Sequence, residues 1–419
     1  MDSDLIIVGS GIIGLTSAYH IKRHNPDLSI TIIDKAPTYS QGNTGKSAAA
    51  FRNLFTASLN YSLSNSSIDF YRHIQEDLGF NIGMKFTGYL FLVTHQIPGW
   101  SEILEERGLV KWMELDEIFE GAVITRKPSQ DASDIIGLDE ITGGFFGQKC
   151  GIMEPDLLSA FYYGELKRMG VDFQFNTEVR HLNLVPTNPL NYPGEPYIWQ
   201  DKTIGGIETN RGTFRAEKYI LATGVWTTSL LDPLGIDSHI RPRKRQIFRI
   251  GGEDIKKILY SSKLNPDRVA PFIVLPHAGV YIRPNPKENS IWVSASDNIG
   301  RDFSFTEDPL PEREFYDLNL RPVLEAYFPA FSSARVDGSW AGYYAYNTIN
   351  RTPYIFRSLN VIVATGTSGS GILKGDSIGR IVSAVYSGDE QARLYDGSSI
   401  EVDKFGIENH SLERELVVL

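Results

Sequence analysis

Three glycines and one aspartate are the residues whose spacing most directly implies chemistry in this chain. Gly9, Gly11 and Gly14 form a Gly-x-Gly-x-x-Gly turn behind the apolar run Leu5-Ile6-Ile7-Val8. Asp34 closes the β-branched run Ile30-Thr31-Ile32-Ile33, twenty positions after Gly14. A turn of this kind holds the pyrophosphate of a dinucleotide. Gly9 permits the tight turn, Gly11 leaves no Cβ between backbone and pyrophosphate, and Gly14 lets helix and strand approach closely. Residues 15–24 read as the helix that follows, whose N-terminus offers unpaired N–H groups and a positive dipole end to phosphate. Asp34 is placed to accept hydrogen bonds from a ribose hydroxyl. Strand, turn, helix, second strand and terminal acid stand in register, which a glycine-rich structural turn does not require. The expected ligand is a dinucleotide, and at this point nicotinamide and flavin forms both satisfy the pattern.

Two more strand-to-turn units recur further on. Lys218-Tyr219-Ile220-Leu221-Ala222 reads as a buried strand running into Thr223-Gly224-Val225-Trp226. Residues 360–364 read as another, followed by Gly366-Thr367-Ser368-Gly369-Ser370-Gly371 and a helix over about 377–386. A helix N-terminus here places positive potential beside a group that gains negative charge. A flavin gains such charge at its N1–C2=O edge on reduction, so the geometry favours the reduced form. Other chemistries fall away. Gly45-Lys46-Ser47 echoes a triphosphate-binding loop, but Ser40 stands where that motif needs glycine. Cys150 is the only cysteine, which excludes intrachain disulfides, thiol pairs and cysteine-based zinc sites, and no metal is expected. No serine sits in Gly-x-Ser-x-Gly, so a hydrolase nucleophile elbow is absent.

The elements that must position these turns exceed one compact core, and 419 residues predict two domains. Nucleotide-type units at the start, middle and end, with β-rich material between them, predict a chain that leaves and re-enters one domain twice. The expected fold class is α/β, with the nucleotide domain formed by residues 1–82, 150–240 and 336–419, and a second domain by 83–149 and 241–335. A hydrophobic content of 42% and a charged content of 22% describe an ordinary folded chain. A net charge of −10 argues against a nucleic-acid partner. No run approaches the roughly eighteen apolar residues of a membrane span. The N-terminus enters the first strand almost at once, leaving no room for a signal peptide, so a cytoplasmic setting is expected.

Taken together, the three turns resemble the D-amino-acid oxidase and sarcosine oxidase family of flavoenzymes, the DAO superfamily. The matching segments are Gly9 to Gly14 with Asp34, then Ala222 to Trp226, then Trp340-Ala341-Gly342, then Ala364 to Gly371 with Gly379, end to end and in the family's order. The stretch Trp340 to Thr348, with Asp34-Lys35-Ala36-Pro37-Thr38-Tyr39-Ser40, is similar to the branch holding archaeal dye-linked L-proline dehydrogenases and a mitochondrial oxidoreductase linked to complex I assembly. The resemblance implies FAD, a Rossmann-like FAD-binding domain, and an α+β substrate domain whose mixed sheet roofs the flavin. It implies hydride transfer from the carbon beside an amine to flavin N5, giving an imine that water hydrolyses.

The resemblance also assigns residues. Gly9, Gly11, Gly14 and Asp34 would hold the ADP half of FAD, and Ser47, Thr223, Gly224, Gly369, Ser370, Gly371 and Ile372 the flavin half. Lys35, Val179, Trp226 and Gly342 complete the cofactor set. Arg52, Tyr346 and Lys374 would hold substrate, Arg52 by bidentate contact with a carboxylate. Lys374 sits one position past the second cation of sarcosine oxidases.

Two departures from relatives matter. Tyr344 stands where monomeric sarcosine oxidase carries its flavin-linked cysteine, and the loop 42–52 has no histidine, so non-covalent FAD is expected. Trp292 falls where oxidases carry an oxygen-activating lysine, which favours a dehydrogenase with an acceptor such as a quinone or dye. A quinone acceptor would bring the protein to a membrane surface. Arg241, Arg243, Lys244 and Arg245 read as a solvated edge or a substrate entrance. L-Proline leads as substrate. The alternatives are a sarcosine- or glycine-type oxidase producing hydrogen peroxide, a non-catalytic FAD-binding assembly factor, and an enzyme using nicotinamide alone.

Overall fold

The computed structural model describes residues 2–95 and 99–407. Residues 1, 96–98 and 408–419, which belong to the ends or interior of expected domain segments, lie outside the described residues. The strand Asp2–Val8 is central to an eight-stranded sheet, parallel to Ile30–Ile33 on one side and Gly212–Leu221 on the other. Asp172–Gln174 and Val361–Thr365 extend it in parallel, and Tyr354–Ser358 closes one edge antiparallel. The run Leu5-Ile6-Ile7 is completely buried, as a parallel strand covered on both faces must be.

Alternation sorts that sheet's two faces. Leu5, Ile7, Ile30, Ile32, Ile220 and Ile362 share a core with the helices Ile12–His24, Ser58–Glu76, Pro155–Arg168 and Gly375–Ser387. Ile6, Val8, Ile33, Tyr219, Leu221 and Val363 face a second core built with Leu182, Ile204 and Ile207. The last three come from the hairpin Val179–Pro186 and Lys202–Thr209, which pairs onto Gly212–Leu221. The first and last helices meet closely. A Cβ on Gly379 would stand 2.6 Å from the Thr16 backbone carbon. His20 and His24, four residues apart on the first helix, are both engaged by the last. His20 Nε2 lies 2.7 Å from Asp376 Oδ1, and His24 Nδ1 lies 3.0 Å from Ser383 Oγ. Burial holds the His20 pKa below its ordinary value despite Asp376.

The second sheet also has eight strands, in the order Arg335–Asn347, Ile240–Gly251, Ser290–Ser294, Tyr281–Asn285, Phe272–Val274, Tyr89–Val93, Gly143–Gly147 and Lys111–Met113. It is mixed, since Phe272–Val274 and Tyr89–Val93 run parallel and the other pairs antiparallel. Its long strands Ile240–Gly251 and Arg335–Asn347 pair along nearly their full length. Arg335–Asn347 therefore belongs to this sheet by hydrogen bonding, whereas a domain boundary at 336 attaches it to the nucleotide half. Among the described residues, no helix is long and apolar enough to cross a membrane.

Candidate functional site

The first turn is built by what its residues lack. Gly9 has φ +102°, and a Cβ there would stand 2.5 Å from the Ala222 carbonyl oxygen. A Cβ on Gly14 would stand 1.9 Å from the Gly9 carbonyl oxygen. The helix Ile12–His24 starts without a side-chain cap from Gly11 and without an acidic residue in its first turn. Only Thr44 reaches it, its Oγ1 accepting from Ile12 N at 3.1 Å. Uncapped N–H donors and positive dipole potential thus face the cleft. Asp34 Oδ2 accepts from Ser10 N and Ser10 Oγ, both at 2.7 Å, and Oδ1 accepts from Ala36 N at 2.9 Å. Three of about four acceptor positions of the carboxylate are taken, and one remains for a ribose hydroxyl. Donors without partners, close backbone without Cβ and one open acceptor fit a dinucleotide.

Lys35 and Trp226 meet beside this end. The Lys35 ammonium lies 4.1 Å over the Trp226 ring and pairs with Glu307, to which Trp226 Nε1 donates at 2.8 Å. Burial lowers the Lys35 pKa from its ordinary value. Val179 lines the same wall.

The loop 42–52 continues the cleft and is held by the second sheet. Asn43 Oδ1 accepts from Tyr343 N at 2.8 Å, the Lys46 carbonyl from Trp340 Nε1 at 2.9 Å, and the Ala48 carbonyl from Arg283 Nε at 3.0 Å. Gly342 has its own reason to be glycine: a Cβ would stand 2.9 Å from Asn43 Oδ1. Ser47 Oγ accepts from Ala49 N at 3.0 Å and turns the loop. Opposite lie the other two turns. Thr365 Oγ1 donates to the Gly224 carbonyl at 3.0 Å, joining them. Gly369, at φ +89°, lies under the Tyr344 ring, 2.3 Å from where its Cβ would be. The helix after this turn begins at Gly375, past Ser370, Gly371 and Ile372, and carries Asp376 in its first turn.

At the far end are two buried cations. Arg52 is 8% exposed, donates from Nη1 to the Leu54 carbonyl at 2.6 Å, and lies 4.4 Å over the Phe55 ring. Among the described residues it makes no ion pair. Lys374 is 1% exposed, donates to Asn60 Oδ1 at 2.7 Å, and stands 4.6 Å from the same Phe55 ring. Facing them is an aromatic wall: Tyr89 and Phe272 stack at 4.2 Å, and Phe272 and Tyr281 at 4.9 Å. Burial pushes the phenols of Tyr89 and Tyr281 up, so both stay neutral.

All the residues expected to hold cofactor or substrate line one cleft of about 720 Å³, except Gly14 and Tyr346. Gly14 turns inward against Gly9. Tyr346 packs beneath Arg243 at 4.6 Å and Arg351 at 5.8 Å, and Tyr344, two residues earlier on its strand, lines the cleft instead. Phe55, Asn60, Tyr89, Phe272 and Tyr281 carry no spacing signal, because each reaches the cleft from a separate segment or face. Trp292 does not line the cleft. Its ring lies 4.8 Å from Trp340 and beneath Arg283 at 4.1 Å. Cys150 is also away from the cleft, with burial pushing its thiol up to about 12.

The DAO family, FAD dependent oxidoreductase, matches residues 4–385. The chain is 26% identical over 460 residues to FAD-dependent oxidoreductase domain-containing protein 1 of Xenopus laevis, across 99% of this chain and 85% of that one. It is 23% identical to glycine oxidase of Bacillus subtilis strain 168, across 92% and 94%. In fold it resembles L-proline dehydrogenase from P. horikoshii, with a TM-score of 0.73, 21% identity, and coverage of 97% and 96%. Glycine oxidase from Geobacillus kaustophilus gives 0.70 at 19% identity, covering 98% and 99%. The dinucleotide that the cleft fits is FAD.

Proposed function

We propose, from the premise that this chain belongs to the DAO family of FAD dependent oxidoreductases, that it is a dehydrogenase of an amino acid or secondary amine, with L-proline the leading substrate. The observation that carries the reading is the Arg52 guanidinium, buried without a carboxylate partner among the described residues and set beside Lys374 across Phe55. A buried cation in that state is stabilised by an anionic ligand, and a substrate carboxylate supplies one. Bound FAD supplies the two-electron acceptor. The chain's own residues bind and orient: Arg52 takes the carboxylate, Asn60 fixes Lys374, and the wall of Tyr89, Phe272 and Tyr281 excludes water. The acids lining the cleft, Asp34, Glu178, Glu307 and Asp308, gather around Lys35 and Lys46 instead of Arg52. Among the described residues the substrate end thus offers no carboxylate base, and an amine that arrives uncharged needs position above all.

FAD is held non-covalently in this reading, since Tyr344 replaces the linking cysteine of the sarcosine oxidases. The acceptor in this reading is a quinone or dye, an assignment that rests on the sequence position of Trp292 and not on its place in the structure, which is outside the cleft; the solved L-proline dehydrogenase supports the substrate choice. The glycine oxidases support the rival reading of an oxidase. Residues 1–82, 150–240 and 336–419 form the FAD-binding domain and 83–149 with 241–335 the substrate domain, to which the strand Arg335–Asn347 lends its hydrogen bonds. A cytoplasmic setting accompanies it, with contact at a membrane surface where the acceptor is a quinone. The test is anaerobic bleaching of the bound flavin by L-proline, sarcosine, glycine and a mixture of D-amino acids, followed by air. Bleaching by L-proline with slow recovery in air is expected. Fast recovery would establish an oxidase, and a flavin that resists every amine would favour the non-catalytic assembly factor.

A further inference from the structure

The mouth of the cleft carries charge that catalysis on a simple amino acid does not use. In a chain of net charge −10, the strand Ile240–Gly251 places Arg241, Arg243 and Arg245 at alternate positions on one face. They lie across the ladder from Tyr346, Tyr344 and Gly342. Each of two guanidiniums leans over a diagonal tyrosine, Arg243 at 4.6 Å from the Tyr346 ring and Arg245 at 5.0 Å from the Tyr344 ring. Arg351, from the far side, shares the Tyr346 ring at 5.8 Å.

Acids do not neutralise this group. Arg245 has one carboxylate, Asp297 at 3.4 Å, which also holds Arg301. Glu312 is engaged by Lys244 and Arg301. Arg243 donates only to Asn298, at its carbonyl and Oδ1, and neither Arg243 nor Arg351 makes an ion pair among the described residues. The Nε atoms of Arg243 and Arg245 are buried with no hydrogen-bond partner. Burial first, then the nearness of Arg245 and Arg351, push the Arg243 pKa down. Like charges gathered this closely repel unless an anion joins them. Arg245 and Arg351 line the same cleft as Arg52, and Tyr344 with the wall of Tyr281, Phe272 and Tyr89 runs between the two ends.

We propose that Arg245 and Arg351, which line the cleft, form with Arg243 beside them on the Tyr346 ring a second anion site, which receives a distal carboxylate of the substrate. The substrate class is then a dicarboxylic amino acid or an N-carboxyalkyl amino acid, of which L-proline presents only the secondary-amine core. This rests on the assignment of Arg52 to the first carboxylate and narrows it. Planar guanidiniums stacked on tyrosine suit such a group, because the fork can meet both oxygens while the ring holds the cation in place.

The test uses the FAD-loaded protein and two five-carbon acids that cannot be oxidised at an amine, glutarate and pentanoate, titrated against the visible absorption of the bound flavin. Glutarate is expected to bind about tenfold more tightly at low salt, with the preference falling as salt screens the second site. In Arg351→Met and Arg243→Met the ratio of the two affinities should fall toward one, and Arg243→Lys should recover part of it. Equal affinities in the unaltered protein, or a preference that survives both methionine variants, would overturn the second site. If neither acid perturbs the flavin, the assignment of Arg52 itself fails, and this one with it.

Discussion

The two ends of the cleft are built on opposite principles. At the end with the glycine turn, proposed for the ADP half, the backbone does the work: missing Cβ atoms at Gly9 and Gly14, uncapped N–H groups at Ile12–His24, and one acid, Asp34, held by Ser10 and Ala36. All of it lies within one continuous stretch. At the end proposed for substrate, side chains do the work, and Arg52, Asn60, Tyr89, Phe272, Tyr281, Tyr344 and Lys374 arrive from widely separated parts of the chain. The first end is specified by spacing and the second by tertiary contact. They should therefore fail differently when altered.

The largest effect is expected where backbone contact is tightest. Gly14→Val would drive a side chain into the Gly9 carbonyl, and about 3 kcal/mol or more of overpacking should abolish stable FAD binding. Flavin fluorescence released on gel filtration measures it, and a variant that keeps its FAD would break the contrast. Arg52→Met should leave FAD bound yet lower kcat/KM for a carboxylate-bearing amine by about 10²-fold or more, in line with roughly 3 kcal/mol for a lost buried charged contact. Stopped-flow flavin reduction separates that loss from cofactor release. Asp34→Asn comes next: an amide cannot accept at both positions that Ser10 and Ala36 now fill, and FAD affinity should weaken by about tenfold, read by titrating the apoprotein.

The smallest effect lies at the mouth. The Arg301 guanidinium beside Glu312 holds that carboxyl down at about 2 from its usual 4.5. A depressed carboxylate stabilises the fold above its unfolded pKa and loses that contribution as the pH falls toward its folded one. Glu312→Gln should therefore lower Tm by a few degrees at pH 7, because a partly exposed network contributes modestly. The gap from the unaltered protein should narrow between about pH 4.5 and 2. A gap that widens on acidification would contradict the pairing of Glu312 with Arg301 and Lys244.

The same contrast governs what a reader of the sequence can see. The glycine turn, the helix behind it and Asp34 are legible because local spacing is the mechanism. The turns at Thr223 and Gly369 are legible because each follows a β-branched or apolar run. Arg52 and Lys374 depend on resemblance for their roles. Asn60 sits in an ordinary amphipathic helix, and Tyr89, Phe272 and Tyr281 look like the core residues of any strand. Tyr344 and Tyr346 stand two apart on one strand, yet only Tyr344 lines the cleft, while Tyr346 packs beneath Arg243 and Arg351. His20 and His24 stand four apart in sequence like metal ligands, yet each is engaged by a different residue of the helix Gly375–Ser387. The strand Arg335–Asn347 follows material of one domain and precedes material of another, and only its ladder with Ile240–Gly251 says which sheet it completes.

The loop 42–52 belongs to the nucleotide half by sequence, but Tyr343, Trp340 and Arg283 of the second sheet hold it. One wall of the cleft is thus fastened to the sheet opposite. The loop cannot part from that sheet without breaking those three bonds, so a displacement of the sheet would carry the loop with it. Under the proposed reading, in which this loop contacts the flavin, alterations to the sheet will also be felt in how the flavin is held.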